Sequence, residues 1–244
     1  MALNCVVFVG SVRSDRQGIK AVRYVEKSLA ARGHDLTFVD PVEVQLPLLD
    51  RMYKEYEKGK APAVLERLAL LYRAADAFVV VSGEYNHSIP PALSNLLDHF
   101  LEEYFFRPSA IVCYSAGAFG GVRAAMQLRA LLSELGMPSI SSLFPIPKIQ
   151  DTLDSTGAPL DMALDRRFNS CLPATAKGLS TNPRQTSGNR AASGTELAIL
   201  TMWLKRLAKS RQTPRAAFST PPMRSSSGTA STAHACRRSP ITLA

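Results

Sequence analysis

Short apolar runs alternate with amphipathic stretches through the first 145 residues of the chain. Strands are predicted at residues 5–9, 35–39, 77–82, 109–114 and 140–144, and the runs at 5–9 and 77–81 have the apolar composition of buried strands. Four stretches between them carry apolar residues at helical spacing, at residues 17–31, 63–75, 89–103 and 122–135. This alternation predicts an α/β fold, a doubly wound five-stranded parallel sheet with right-handed crossovers.

The loop after the first predicted strand, residues 10–18, is polar and basic. It lacks the glycine spacing of dinucleotide-binding and Walker loops. Instead it places hydroxyls at Ser11 and Ser14 and guanidinium groups at Arg13 and Arg16 just before a helix begins. Backbone N–H groups at a helix N-terminus, together with arginines, suit a phosphate dianion. The alternative is an ordinary solvated loop.

The loop after the third predicted strand, residues 83–91, reads Gly-Glu-Tyr-Asn-His-Ser-Ile-Pro-Pro. It sets a carboxylate, a phenol and a carboxamide in a row, beside a glycine that lets backbone approach a flat ligand. Ser88 is a candidate helix cap, and two prolines suit the first helical turn. His87 is interpreted as a polar residue at a helix start rather than a substrate contact.

The loop after the fourth predicted strand contains Gly117, Gly120 and Gly121, which permit positive φ and a close backbone approach to a ring. Taken alone, this loop has an ordinary explanation as a tight turn. In a sheet of strand order 2-1-3-4-5, however, the ends of strands 1, 3 and 4 are neighbours at the switch point where flavodoxin-like proteins hold FMN. One shared site therefore explains the three loops better than three coincidences.

Charge is unevenly distributed along the 244 residues. The formal net charge is +9, but residues 1–171 hold 18 basic and 19 acidic side chains while residues 172–244 hold 11 and 1. Duplex affinity depends mainly on phosphate neutralisation, so the near-neutral body predicts no nucleic-acid partner.

The four cysteines indicate a reducing compartment. They lack the paired spacing of a zinc site or a disulfide framework, which predicts no metal site and reduced structural thiols at Cys5, Cys113, Cys171 and Cys236. The apolar run near the start ends at Gly10, too short for a signal peptide or a membrane span. We therefore expect a cytoplasmic protein.

Three motifs together resemble the NADPH-dependent FMN reductase family, which includes flavin-dependent quinone, azo-dye and chromate reductases. They are Gly-Ser-x-Arg at 10–13, Glu-Tyr-Asn-His-Ser-Ile-Pro-Pro-Ala-Leu-x-Asn-x-Leu-Asp at 84–98, and Ser-Ala-Gly-Ala-Phe-Gly-Gly-Val-Arg-Ala at 115–124. The resemblance covers residues 4–168. One departure is Gly83, where many members carry proline.

The resemblance implies a flavodoxin-like fold that binds FMN, with NADPH or NADH as co-substrate. It implies that the FMN phosphate is held by Ser11, Arg13, Arg16, Gln17 and Gly18. It also implies contacts to the ribityl chain and ring from Gly83, Glu84, Tyr85 and Asn86, and to the pyrimidine side from Ser115, Gly117, Gly120 and Gly121. The cofactor carries the redox chemistry, so no catalytic side chain is predicted.

Two function classes remain at this point. The first is an FMN-dependent NAD(P)H oxidoreductase, a homodimer or homotetramer that passes hydride from NADPH through FMN to a quinone, free flavin or similar small acceptor. The second is a non-enzymatic flavodoxin-like electron carrier. Such carriers usually have an acidic surface and a Ser/Thr-rich phosphate loop. The near-neutral body and the loop arginines therefore favour the enzyme.

Composition changes near residue 170, where the predicted flavodoxin-like domain (1–170) is interrupted. Residues 171–194 are rich in Ser, Thr, Gly, Asn and Pro and predict a flexible insertion, residues 195–211 predict the C-terminal helix of the domain, and residues 212–244 predict a disordered basic tail. One hypothesis is a regulatory tail or one that binds an anionic surface. The preferred one is that 171–194 and 212–244 are retained or misread non-coding sequence, which sequencing the mature transcript tests.

Overall fold

Five parallel strands form the centre of the protein in a computed structural model, which describes residues 2–171. The strands are β1 (Asn4–Val9), β2 (Asp35–Val39), β3 (Ala77–Gly83), β4 (Ser109–Tyr114) and β5 (Ser139–Ile146). They lie in the order β2-β1-β3-β4-β5, and every neighbouring pair is parallel. The predicted flavodoxin-like sheet and its strand order are confirmed.

The described part of the chain contains seven α-helices and two 3-10 turns, and the last two helices follow the final strand. The helices are α1 (Gly18–Ala30), α2 (Pro41–Val44), α3 (Ala63–Ala74), α4 (Pro91–Asp98), α5 (Val122–Glu134), α6 (Ile149–Thr152) and α7 (Ala163–Cys171). The 3-10 turns are Tyr53–Glu55 and Glu102–Tyr104.

The predicted helix at 89–103 is too long, since α4 covers only its middle. The chain turns at Leu101, whose φ of −146° and ψ of −69° are not helical. The carbonyl of His99 accepts a hydrogen bond from the backbone N–H of Tyr53 at 2.8 Å instead of one from its own helix. The helix therefore ends where the backbone of Tyr53 bonds to it, and the local sequence around residue 99 does not predict this contact.

Each face of the sheet is covered by its own hydrophobic cluster. Helices α3, α4 and α5 pack on one face, where rings of Phe8, Tyr72, Phe78 and Tyr104 lie within 6.2 Å of one another, centroid to centroid. Helices α1, α6 and α7 pack on the other face. Burial on both faces explains why β1, β3 and β4 read as nearly continuous apolar runs, whereas the edge strands β2 and β5 are partly exposed.

The carboxyl ends of the strands meet at one edge of the sheet, and Gly10 keeps two of them close there. Its backbone N–H donates to the carbonyl of Val81 at 2.9 Å. A Cβ at this position would lie 2.8 Å from that same oxygen, so only glycine permits the approach. The loops that leave β1 and β3 therefore begin side by side.

No helix within residues 2–171 has the length and apolar character needed to cross a membrane. The predicted insertion at 171–194, the helix at 195–211 and the tail at 212–244 lie outside the described residues, except that Cys171 is the last residue of α7.

Candidate functional site

Three loops at the carboxyl edge of the sheet form the candidate site. We call them the first loop (residues 10–17), the middle loop (84–90) and the glycine loop (115–121). The hydroxyls of Ser11 and Tyr85 lie 2.6 Å apart, so a hydrogen bond joins the first and middle loops directly. Ser11 is buried, with 3% of its surface exposed. Two predicted site residues, 74 positions apart in the chain, thus meet.

The first loop leads into a helix N-terminus that no side chain caps. Helix α1 is 13 residues long, and the side chain of its N-cap residue, Gln17, accepts no hydrogen bond from the first turn. The first amides of a helix have no intrahelical partner and carry its positive dipole end. Arg13, whose side chain is 65% exposed, lies in the same loop with only an exposed contact to Asp15 at 3.3 Å. This end of the site suits an anionic group.

Arg16 contacts Asp40, a residue at the end of β2 that the sequence reasoning missed. Its two terminal nitrogens donate to the two carboxylate oxygens at 2.7 and 2.5 Å, and one of them also donates to the carbonyl of Ser11 at 2.7 Å. These hydrogen bonds raise the pKa of Arg16 although burial lowers it. Asp40 also caps α2 by accepting from Val42. Arg16 therefore ties the first loop to the neighbouring strand end.

Gly18 and Gly83 both lie against the ring of Tyr114, the last residue of β4. A Cβ at Gly18 would overlap the Tyr114 hydroxyl and lie 2.6 Å from its Cζ, and one at Gly83 would lie 3.1 Å from both atoms. Tyr114 is 7% exposed, and burial raises its pKa above the ordinary value. The sequence reasoning treated Tyr114 only as part of a strand, although a phenol at a strand's carboxyl end is a signal for a site residue.

The middle loop contains a tight turn whose two central residues have left-handed backbone. Tyr85 and Ser88 exchange backbone hydrogen bonds at 3.0 and 2.9 Å, while Asn86 and His87 adopt φ of 49° and 63°. Asparagine and histidine tolerate this region better than most residues. Gln127 of α5 donates to the carbonyl of His87 at 2.9 Å. The turn is therefore fastened to α5, with Asn86 and His87 exposed at its tip.

Ser88 does not cap α4 as the sequence suggested. Its hydroxyl donates to the Gln127 side chain at 2.7 Å, and the N-cap residue of α4 is Pro90, which provides no side-chain cap. The hydroxyl thus stabilises the middle loop rather than the helix that follows it.

Glu84 forms an ion pair with Arg123 at the start of α5. The carboxylate is 5% exposed and accepts from the guanidinium at 2.5 and 2.9 Å and from the Arg123 backbone N–H at 3.2 Å. Burial alone would raise the pKa of Glu84, but these hydrogen bonds and one from the backbone of Ala124 hold the pKa below its ordinary value. Glu84 therefore links the middle loop to α5, and a glutamate that is ionised in this way is a poor proton donor at neutral pH.

The glycine loop is held close to the sheet by its backbone. Gly120 and Gly121 have φ of 63° and 81°, and a Cβ at Gly121 would lie 2.7 Å from the Tyr114 carbonyl oxygen. The Ser115 hydroxyl donates to the carbonyl of Gly117 at 3.0 Å. A Cβ at Gly117 would come no closer than 4.0 Å to any neighbour. Two of the three glycines are thus required by the fold, and the third is not.

No group of acidic, histidine or cysteine side chains within residues 2–171 could hold a metal ion. Burial raises the pKa of Cys5 to about 11 and that of Cys113 to about 12. Both thiols are therefore protonated and unreactive at neutral pH.

The sequence profile of the NADPH-dependent FMN reductases matches residues 3–151, more than half of the chain. The chain belongs to the NADPH-dependent FMN reductase family. Within this family it is 36% identical over 117 residues to the NAD(P)H-dependent FMN reductase PA1204 of Pseudomonas aeruginosa, a match that covers 45% of this chain and 63% of that relative. It is 31% identical over 134 residues to a quinone reductase of Escherichia coli K12, covering 53% of this chain and 69% of the relative.

Solved structures share the fold of this family member. FerB, a flavoenzyme NAD(P)H:(acceptor) oxidoreductase from Paracoccus denitrificans, superposes with a TM-score of 0.57 at 19% identity, covering 85% of this chain and 98% of FerB. An NAD(P)H:quinone oxidoreductase from Methanothermobacter marburgensis gives 0.51 at 14% identity, covering 70% and 98%. At these identities the likeness concerns the fold.

The residues at the strand ends fit the cofactor for which the family is named. An uncapped helix N-terminus and an exposed arginine suit the phosphate of FMN at one end. Gly83, just before the middle loop, and the glycines of the glycine loop keep the backbone free of side-chain bulk where a flat ring would approach. The ion pair of Arg16 with Asp40 fixes the first loop, and the ion pair of Arg123 with Glu84 fixes the middle loop. Both loops are therefore held in position by the protein itself.

Proposed function

We propose that this protein is an FMN-dependent NAD(P)H oxidoreductase that reduces a quinone, free flavin or a similar small acceptor. The observation that carries the proposal is the position of three ligand-type loops at the switch point of the sheet, two of which are joined by the contact between Ser11 and Tyr85. When bound, FMN supplies the chemistry, taking up hydride from the nicotinamide and delivering two electrons to the acceptor.

In this proposal the protein binds and orients the cofactor. Arg13, Ser11 and the amides near Gln17 and Gly18 hold the phosphate, and Arg16 strengthens that end through Asp40. Gly83 and the middle-loop residues Glu84, Tyr85 and Asn86 lie along the ribityl chain and ring. The glycine loop closes the pyrimidine side with Ser115, Gly117, Gly120 and Gly121. Every titratable side chain here positions the ligand, and none is required as a proton donor.

Titration of the purified protein with FMN, followed by steady-state oxidation of NADPH and NADH with quinones, tests the proposal. We expect saturable FMN binding and acceptor-dependent turnover. Failure to bind FMN contradicts the proposal outright. FMN binding without nicotinamide oxidation, against a panel of quinones, azo dyes and free flavins, identifies an electron carrier instead.

We also propose that the protein assembles as a homodimer or homotetramer. Leu48 is 86% exposed and borders an apolar groove of about 380 Å³. The groove is lined by Val12, Pro41, Val44, Leu46, Leu48, Pro91, Ala92, Asn95 and Leu96. The side chain of Asn95 fixes the loop that carries Leu48, bonding the carbonyl of Pro47 at 2.8 Å and the N–H of Leu49 at 2.9 Å. In a two-fold dimer, the Leu48 side chain of each subunit could enter the groove of the other subunit, because such an interface uses the same surface twice.

A cytoplasmic location is part of the same proposal. Its support is the unpaired state of Cys5, Cys113 and Cys171, since free buried thiols are typical of reducing compartments. Fractionation of the source cells is the direct test.

A further inference from the structure

Phe119 leaves a large aromatic ring in solvent at the edge of the candidate site. It belongs to the glycine loop, and 64% of its surface is exposed. An aromatic ring offers a large, flat face on which a planar ligand can stack. The other exposed large apolar residue nearby in sequence, Met126, lies on α5 outside the loop. Phe119 is therefore the aromatic group that the glycine loop offers to a ligand.

Arg123 holds this ring in place. Its guanidinium carbon lies 4.9 Å from the centroid of the Phe119 ring, within the range of a cation–π contact. The same guanidinium contacts the Glu84 carboxylate at 2.5 Å. One cation thus joins the ring to the middle loop. Gly120 and Gly121, with their fixed positive φ, anchor the chain directly after Phe119.

Exposure rises in order across these three side chains. Glu84 is 5% exposed, Arg123 41% and Phe119 64%. Of the three groups, the Phe119 ring is therefore the one most open to solvent, and a ligand at this edge of the sheet can contact it directly.

We propose that the Phe119 ring stacks on the planar ring of the substrate that exchanges electrons in this site. The shared chemistry is a flat, unsaturated six-membered ring, present in both quinones and nicotinamides. Flat unsaturated rings pack well in an offset arrangement on a phenyl face. The inference rests on the proposed function and assigns it a specificity-determining residue, with Arg123 as a positioning residue behind it.

Steady-state kinetics of the FMN-loaded Phe119→Ala variant test the assignment. We expect KM for a quinone, for NADPH or for both to rise roughly two- to twelvefold, with kcat nearly unchanged, because about 0.5–1.5 kcal/mol of stacking is lost. The two KM values, measured separately, distinguish the quinone from the nicotinamide. Ferricyanide has no ring face, so its KM should not change. Phe119→Tyr keeps the ring and should keep wild-type values.

Several results would overturn the assignment. One is a wild-type KM for every ring substrate in Phe119→Ala, and another is an equal rise with ferricyanide. A tenfold loss of FMN affinity in Phe119→Ala, measured by fluorescence titration, would make Phe119 a cofactor contact instead. In each of these cases the wild-type protein still oxidises NAD(P)H, so only the Phe119 assignment fails. If the wild-type protein itself is inactive, the proposed function fails instead.

Arg123→Lys tests the positioning role. Lysine keeps a charge for Glu84 but lacks the planar group that stacks on the ring. In the protein that keeps Phe119, we expect Arg123→Lys to raise KM for the ring substrate. In the Phe119→Ala variant, the same substitution should leave KM unchanged, and a double-mutant cycle measures this difference. Equal effects in both backgrounds overturn the role.

Discussion

At the scale of single residues, the glycines of the site differ in what requires them. Gly18 and Gly83 leave room for the Tyr114 ring, whereas Gly121 combines a positive φ with a close approach to the Tyr114 carbonyl. Gly117 has neither constraint within the described structure. A glycine in the sequence indicates freedom of the backbone, but it does not show why glycine is required at that position. Gly18 is required because of Tyr114, which lies nearly a hundred residues away in the sequence.

Replacing Gly18 with alanine should destabilise the fold. The added Cβ overlaps the Tyr114 hydroxyl, and relieving such overpacking typically costs about 1–3 kcal/mol. Urea unfolding of the variant measures the loss. Gly117→Ala is the matched control and should change the free energy of unfolding by less than about 1 kcal/mol. Equal losses in the two variants contradict the packing role of Gly18.

Replacing Arg13 with alanine should weaken FMN binding and leave stability unchanged. Its side chain is 65% exposed, and its ion pair with Asp15 is a surface contact of small value. Loss of one charge-assisted hydrogen bond to phosphate lowers affinity by about tenfold or more. Fluorescence titration of FMN measures this, with Asp15→Ala as the control that keeps Arg13. Unchanged affinity in Arg13→Ala places the phosphate elsewhere.

Replacing Asp40 with alanine should act on stability first. The variant leaves Arg16 largely buried without its carboxylate, since the two side chains are only 16% and 9% exposed. Breaking a buried pair by removing one partner costs about 3 kcal/mol. Thermal and urea unfolding test this. If stability is unchanged while FMN affinity falls, Arg16 contacts the phosphate itself instead of bracing the loop.

At the scale of helices and strands, the apolar pattern located the elements well. The predicted bounds of β2 and β4 coincide with the structure, β1 and β3 differ by one residue at one end, and β5 extends one residue earlier and two residues later than predicted. The inner strands β1, β3 and β4 are buried on both faces, so their sequences carry the clearest signal. The end of α4 was missed because the Tyr53 backbone decides it.

The side-chain pairs that brace the loops could not be predicted from the sequence. Arg123 is 39 residues from Glu84, and Asp40 is 24 residues from Arg16. Their pairing depends on the crossovers that bring strand ends and helix starts together. Loop composition alone identified the first, middle and glycine loops as ligand-type segments, but it did not show which arginines are already engaged.

The pairing of Glu84 with Arg123 should make stability depend on acid pH. The pKa of Glu84 is lower in the folded protein, so the pair contributes stability above the ordinary glutamate pKa, and this is lost as pH falls through the folded value. The difference in unfolding free energy between wild type and Glu84→Gln should therefore shrink below about pH 4. Urea unfolding between neutral and acid pH measures it.

Glu134→Gln provides the comparison for the acid titration. Glu134 is an exposed residue at the end of the same helix, α5. Its substitution should leave the pH dependence of stability as in the wild type. A constant gap between wild type and Glu84→Gln at every pH contradicts the role given to the ion pair.

At the scale of the whole molecule, the charge distribution separates the described body from the rest of the sequence. Residues 1–171 are nearly neutral. Arg13 is nevertheless largely exposed at the edge of the site, whereas Arg123 is paired with Glu84. Net charge therefore gives little information about this site, and the positions and partners of individual arginines give more.

Self-association should depend on Leu48. Replacing it with aspartate puts a charge on a projection that is 86% exposed beside the apolar groove. Sedimentation velocity should then show a shift of the wild-type oligomer toward smaller species. Leu70→Asp, at a residue of α3 that is 67% exposed and does not line the groove, should leave the oligomer intact. An unchanged mass for Leu48→Asp contradicts the proposed interface.

The position of β1 between β2 and β3 affects how quickly the chain reaches its native state. Cys5 pairs with Ala77 across a long intervening segment, and every strand pair in the sheet is parallel. Pairing between strands that are distant in sequence slows folding, because the chain loses loop-closure entropy before the contacts between the strands stabilise it. The three loops meet only after β1, β3 and β4 are aligned. In refolding experiments, FMN should therefore bind after the helical circular dichroism signal has recovered, because its site forms only when the sheet is complete.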